Sequence, residues 1–159
     1  MKKNEKKITI KKGTYDGEVN NKNQPHGFGK FNFSDGAEYV GEWKNGVQNG
    51  QGTFIIPNQS KYVGEFKNGV KNGKGDLQFI NGPKYIGDFK DNLRHGYGIL
   101  THLDGSMYRG MFENGYEHGL GIYSNKKDGR DYYVEFKKGK LIRQSIEKLK
   151  WVKKNLNYH

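Results

Sequence analysis

Hydrophobic and polar positions alternate with a period of two over residues 62–79, YVGEFKNGVKNGKGDLQF. Tyr62, Gly64 and Phe66 fall on one side, with Val63, Glu65 and Lys67 on the other. After a break, Gly73, Gly75, Leu77 and Phe79 oppose Lys74, Asp76 and Gln78. This alternation predicts two β-strands. Asn68-Gly69 falls between them, and both residue types tolerate the positive φ of a tight hairpin turn. The stretch therefore reads as one antiparallel hairpin.

The same pattern recurs along the chain. Its first strand is YDGEV at Tyr15, YVGEW at Tyr39, YVGEF at Tyr62, YIGDF at Tyr85, YRGMF at Tyr108 and a degraded YYVEF at Tyr132. Its second strand carries HGFG, NGQG, NGKG, HGYG and HGLG, beginning at His26, Asn49, Asn72, His95 and His118, each 23 residues after the last. Asp35-Gly36, Asn81-Gly82, Asp104-Gly105 and Asp128-Gly129 turn one unit into the next, with PNQS at Pro57 replacing that turn once. A fixed period of this kind is the signature of a repeat architecture. Five to six hairpins in series predict an all-β, single-layer, twisted antiparallel sheet in which contacts run between neighbours. Rings can lie flat over the bare backbone of neighbouring glycines, so the glycines serve the sheet they otherwise weaken.

Y-x-G-E-F/W followed by G-x-G every 23 residues resembles the MORN (membrane occupation and recognition nexus) repeat over about residues 13–139. The resemblance implies hairpins forming a sheet with an aromatic groove, used for protein binding, self-association and scaffolding. Lipid-headgroup binding is also implied. Val134 departs from the pattern by replacing the first glycine of the last unit, which predicts a half-repeat that caps the sheet.

From residue 140 the period changes. Ile142, Ile146, Leu149, Val152 and Leu156 follow helical spacing, so residues 140–159 read as a basic amphipathic helix with Trp151 off the apolar stripe. Such a helix would cap the last hairpin, or lie on a partner or an anionic membrane.

Composition supports the repeat reading. Only 32% of residues are hydrophobic while 14% are aromatic, which argues against both a large compact core and disorder. The formal charge of +11 is concentrated at the ends. Residues 1–12 carry +5, residues 140–159 another +5, and residues 13–139 only +1. A nucleic-acid module carries its basic stripe on the folded face, so no nucleic-acid partner is expected. The basic ends are candidate contacts for acidic lipid or a partner: Lys2, Lys3, Lys6, Lys7, Arg143, Lys148, Lys150, Trp151, Lys153 and Lys154. There is no cysteine and no apolar run long enough for a signal peptide or a membrane span. The chain reads as a soluble protein of the cytosol or cytoskeleton.

Candidate chemistry is sparse. Glu42, Glu65, Asp88 and Glu135 recur about one repeat apart on the polar face, too far apart and too exposed to work as an acid–base pair. His26, His95 and His118 share one slot, but neighbouring slots lie about 10 Å apart, and ligands of one zinc ion each sit roughly 2 Å from it. Neither an enzyme nor a cofactor is expected. The expected function is a scaffold that binds a peptide or helix along an aromatic groove of Tyr39, Trp43, Phe54, Tyr62, Phe66, Tyr85, Phe89, Tyr108 and Phe112, with ring edges exposed as anchors. Lys- and Asn-rich proteins of this kind resemble cytoskeletal and ciliary components. A peripheral membrane adaptor is the alternative.

Overall fold

The computed structural model describes residues 4–146, and every regular element among them is a β-strand. They fall into two compact units, one reaching to Ile80 and one beginning at Asn81. The first contains β1 (Glu5–Ile10), β2 (Gly13–Val19), β3 (Pro25–Phe33), β4 (Glu38–Lys44), β5 (Val47–Ile56), β6 (Ser60–Lys67) and β7 (Val70–Phe79). The second contains β8 (Lys84–Lys90), β9 (Leu93–Thr101), β10 (Met107–Glu113), β11 (Tyr116–Ser124), β12 (Asp131–Lys137) and β13 (Lys140–Ser145). Within each unit every strand pairs antiparallel with the next in sequence, giving a single layer.

The turns explain the connectivity. Asn45-Gly46, Asn68-Gly69 and Asn114-Gly115 have φ of 50 and 89°, 51 and 83°, and 51 and 90°. Two successive positive values make the turn whose twist matches that of the flanking strands. Asp91-Asn92 and Lys138-Gly139 take the same shape with φ of 49 and 70°, and 50 and 75°. Between units, Asp35, Asp104 and Asp128 each accept a backbone N–H two residues on, from Ala37, Ser106 and Arg130. PNQS turns as well, with Asn58 at φ 58° and Gln59 N–H donating to the Ile56 carbonyl.

Two expectations are corrected here. Residues 140–145 are not helical: β13 pairs with β12 from Lys137↔Lys140 to Tyr133↔Ser145. Ile142 and its neighbours complete a hairpin, and the helix expected over the remainder of 140–159 lies outside the described residues. The sixth unit is therefore a whole hairpin rather than a half-repeat. Val134, 2% exposed, occupies its glycine slot. It can do so because Tyr132 takes another path, donating its hydroxyl to Asp128 Oδ2 at 2.5 Å.

Candidate functional site

Each complete repeat builds the same clamp. Tyr15, Tyr39, Tyr62, Tyr85 and Tyr108 are at most 1% exposed although they belong to single-layer sheets. Each ring lies over a glycine of the next strand; a Cβ at Gly52, Gly75, Gly98 or Gly121 would strike the ring of Tyr39, Tyr62, Tyr85 or Tyr108, respectively. The hydroxyl then reaches the carbonyl three residues on. Tyr15 donates to Glu18 O (2.6 Å), Tyr39 to Glu42 O (2.9 Å), Tyr62 to Glu65 O (3.0 Å), Tyr85 to Asp88 O (2.9 Å) and Tyr108 to Met111 O (3.2 Å). Burial raises every one of these phenols above its ordinary value, reaching about 12 for Tyr15 and Tyr108, and a nearby carboxylate adds to the rise.

The recurrent acid has a structural task. At its position the strand register shifts, between Gly41 and Trp43, Gly64 and Phe66, and Gly87 and Phe89. The carboxylate takes up an amide that the broken ladder leaves over. Glu42 accepts from Gln51 N (2.9 Å), Glu65 from Lys74 N (2.8 Å) and Asp88 from Tyr97 N (3.2 Å). Gly73, opposite Glu65, has φ +102°, and a Cβ there would meet the Glu65 carboxyl carbon at 2.6 Å. Glycine satisfies both demands at that position.

The fourth residue after each tyrosine closes the face. In the first unit Tyr39 lies edge-to-face between Trp43 (5.1 Å) and Phe66 (5.0 Å). In the second, Tyr85 lies between Phe89 (5.1 Å) and Phe112 (4.9 Å), and Tyr108 between Phe112 (5.4 Å) and Phe136 (5.3 Å). Such pairs add roughly 0.5–1.5 kcal/mol each beyond the area they bury. Trp43 also donates its indole N–H to Gly29 O at 3.0 Å.

Of the nine residues expected to line the groove, Tyr39, Trp43, Tyr62, Phe66, Tyr85, Phe89, Tyr108 and Phe112 are 0–7% exposed. They form the floor of a face and not a row of open edges. Only Phe54, paired with Tyr39 and Tyr62, is half-buried. Above the floor lies a second layer that sequence reasoning missed. Trp43 pairs with Gln48, Phe66 with Lys71, Phe89 with Arg94 and Phe112 with Glu117. Lys71 Nζ lies 5.0 Å from the Tyr62 ring centre, and burial lowers its pKa. The Arg94 guanidinium stands 5.1 Å from Phe112 and 5.7 Å from Tyr85, and donates to Gly115 O through Nη2 (2.6 Å) and Nε (3.2 Å). The signal was available: 48, 71, 94 and 117 share the 23-residue spacing.

The other face differs between the units. In the first it presents Lys30, Glu42, Gln51, Thr53, Glu65, Lys74 and Asp76 beside Phe28, Val40 and Val63, as expected of a polar face. In the second it presents Ile86, Tyr97, Ile99, Met111, Leu120 and Ile122 among the charged Asp88, Arg109, Asp131 and Glu135. The expected acids are on this face, and more apolar side chains lie between them than in the first unit.

Five successive 23- or 24-residue segments, 15–38, 39–61, 62–84, 85–107 and 108–130, match the family model of the MORN repeat. Each begins on one of the five clamped tyrosines. The chain belongs to the MORN repeat family. MORN repeats generally take part in protein–protein or membrane interactions. No curated protein matches the chain.

Among the ten residues expected at the basic ends, Lys6 and Lys7 are exposed on β1, with Lys6 donating to Asn23 Oδ1. Arg143 is ion-paired to Glu135 at 2.9 Å. Lys2, Lys3, Lys148, Lys150, Trp151, Lys153 and Lys154 lie outside the described residues. Among the described residues no group of three metal-ligating side chains converges, and no helix is long and apolar enough to cross a membrane. A cleft of about 600 Å³ at the turn ends of β4–β7 is lined by Asn45, Asn49, Asn68 and Asn72; its one carboxylate, Glu65, is the one bonded to Lys74 N.

Proposed function

We propose that this MORN repeat protein is a non-catalytic scaffold that binds a protein segment along its tyrosine-bearing face. The observation that carries the reading is the layer of long polar side chains set at one repeat slot over a rigid aromatic floor. In the first unit that layer runs from neutral Gln48 to cationic Lys71; in the second it runs from cationic Arg94 to anionic Glu117. A floor of clamped rings costs little further ordering on binding. A charge pattern above it selects the partner. Lys71 in the first unit and Arg94 in the second each offer a cation to an acidic side chain of an extended or helical segment lying on the tyrosine face of its own unit. A cytoskeletal or ciliary assembly is the setting that the Lys- and Asn-rich composition supports by analogy.

The test is affinity capture from an extract of the source cells. The charge-reversed pair Lys71→Glu and Arg94→Glu is compared with Gln51→Glu and Lys74→Glu on the opposite face, with folding checked by circular dichroism. Loss confined to the first pair supports the reading. Equal loss on both faces, or none, removes it.

A membrane role is the second reading, favoured by the exposed Lys6 and Lys7 beside Ile10, itself 52% exposed, on β1. Sedimentation with anionic vesicles at low salt, abolished at high salt and by Lys6→Glu with Lys7→Glu, would support it. Absence of binding at low salt would exclude it.

A further inference from the structure

The first strand of the first unit is a sheet edge: among the described residues β1 pairs with β2 and with no other strand. Val19 N donates to Asn4 O at 2.9 Å, and the register runs on from Glu5↔Glu18 to Ile10↔Gly13 without a shift. Hydrogen-bonded and non-bonded pairs alternate in an antiparallel ladder, so Asn4, Lys6, Ile8 and Ile10 bond to β2 through their backbone groups. Glu5, Lys7 and Thr9 therefore turn three N–H and three C=O groups outward along one edge. Such a row is a template for a further strand, and β1 has neither the proline nor the bulge that blunts many natural edges.

We propose that this edge takes up an extended acidic segment of a partner protein as an added antiparallel strand. Charge names the occupant. Lys6, Lys7, Lys11 and Lys12 stand against the single acid Glu5, and all five are exposed. A second copy of the chain does not fit: β1 laid antiparallel on itself about Lys7 sets lysine against lysine, and the other terminal strand of the series, β13, brings Lys140 and Arg143. Like charges directly opposed destabilise a strand pair and opposite charges support it, so these lysines turn away the chain's own edges and admit an acidic strand. An anionic membrane would meet the lysines but leave the outward N–H and C=O groups to water. The side chains also set the partner's pattern. Ile8 pairs with Tyr15, which puts Lys6, Ile8 and Ile10 on the tyrosine side and Lys7 on the other. Ile8 is half-buried and Ile10 is 52% exposed. The matching strand, read from its own N-terminal end, has apolar residues opposite Ile10 and Ile8 and then two acids in succession opposite Lys7 and Lys6. Lys6 Nζ donates to Asn23 Oδ1, a neutral acceptor, so its charge is left for one of those acids. This mode of binding does not rest on what lies along the tyrosine face.

The test adds a capped peptide, Thr-Val-Thr-Val-Glu-Glu-Thr, to the whole 159-residue chain and follows backbone amide exchange by NMR. The amides of Lys7 and Thr9 should exchange at least fivefold more slowly with saturating peptide, and a peptide with lysine in place of both glutamates should leave them unchanged. No slowing, or equal slowing by the two peptides, would overturn the proposal. A second measurement separates strand addition from charge contact and leaves the protein unaltered. N-methylation of the peptide at the residues opposite Thr9 and Lys7, whose amides face β1, should abolish the slowing, whereas N-methylation opposite Ile10 and Ile8 should preserve it. Equal effects of the two methylation patterns would overturn it. Sedimentation with anionic vesicles, undiminished by saturating peptide and accompanied by no slowing at Lys7 and Thr9, would give the edge to a membrane surface and would likewise overturn it.

Discussion

The ring of Tyr62 occupies the space that a side chain at Gly75 would need: a Cβ there would lie 2.6 Å from the phenol Cζ and 2.5 Å from its oxygen. Gly75→Ala must therefore displace a ring whose hydroxyl is fixed to Glu65 O. Its expected cost is about 1–3 kcal/mol, typical of overpacking, read as a lower urea midpoint. Gly69→Asn is the comparison. Gly69 sits in a turn at φ +83°, a conformation that asparagine tolerates, and should change stability by less than about 1 kcal/mol.

Tyr39→Phe keeps the ring over Gly52 but removes the bond to Glu42 O. A net loss of about 0.5–1.5 kcal/mol is expected in thermal or urea unfolding. Tyr97→Phe, on an exposed ring, should stay within about 0.5 kcal/mol of the parent.

Alkaline pH should unfold the protein through these same tyrosines. An unfolded phenol ionises near pH 10, whereas the folded values are raised, to about 12 for Tyr15 and Tyr108. The folded state thus holds protons that the unfolded state releases. The contribution is fully present below about pH 10 and is lost as pH rises through the folded values. Urea midpoints should be steady from pH 8 to 9.5 with respect to these groups and fall between pH 10 and 12. The share of tyrosinate absorbance that comes from the five buried rings, Tyr15, Tyr39, Tyr62, Tyr85 and Tyr108, should rise together with the loss of structure, as a step separate from that of exposed rings such as Tyr97 and Tyr116.

The hairpins were legible because two signals kept step, the alternation of Tyr62, Gly64 and Phe66 and the turn residues Asn68-Gly69. The glycine role was legible too, since a strand so rich in glycine needs rings to cover it. The extent of burial was not. Strand period assigns Tyr62 to a face but cannot say that Phe66 and Lys71 will close over that face. The strand from Lys140 to Ser145 was missed for a different reason. Its turn, Lys138-Gly139, puts lysine where Asn45, Asn68 and Asn114 stand, and the spacing of Ile142 and Ile146 also fits a helix. Pairing with β12 decided between the two periods, and pairing is a tertiary fact. On the second unit's other face, Ile86 and Ile99 carried a readable signal, obscured because the matching positions Val63 and Asp76 are mixed in character.

The interlocking of ring and glycine is tested most directly by a double-mutant cycle on Tyr62 and Gly75. Gly75→Ala is measured by urea unfolding in the parent and again in Tyr62→Val, where no ring lies over the glycine. About 1–3 kcal/mol lost in the parent and less than about 0.5 kcal/mol in the Tyr62→Val background is the expected result, a coupling well beyond the additivity of independent sites. Equal losses in the two backgrounds would mean that Tyr62 does not occupy Gly75's space, and would contradict the clamp on which the tyrosine face is built.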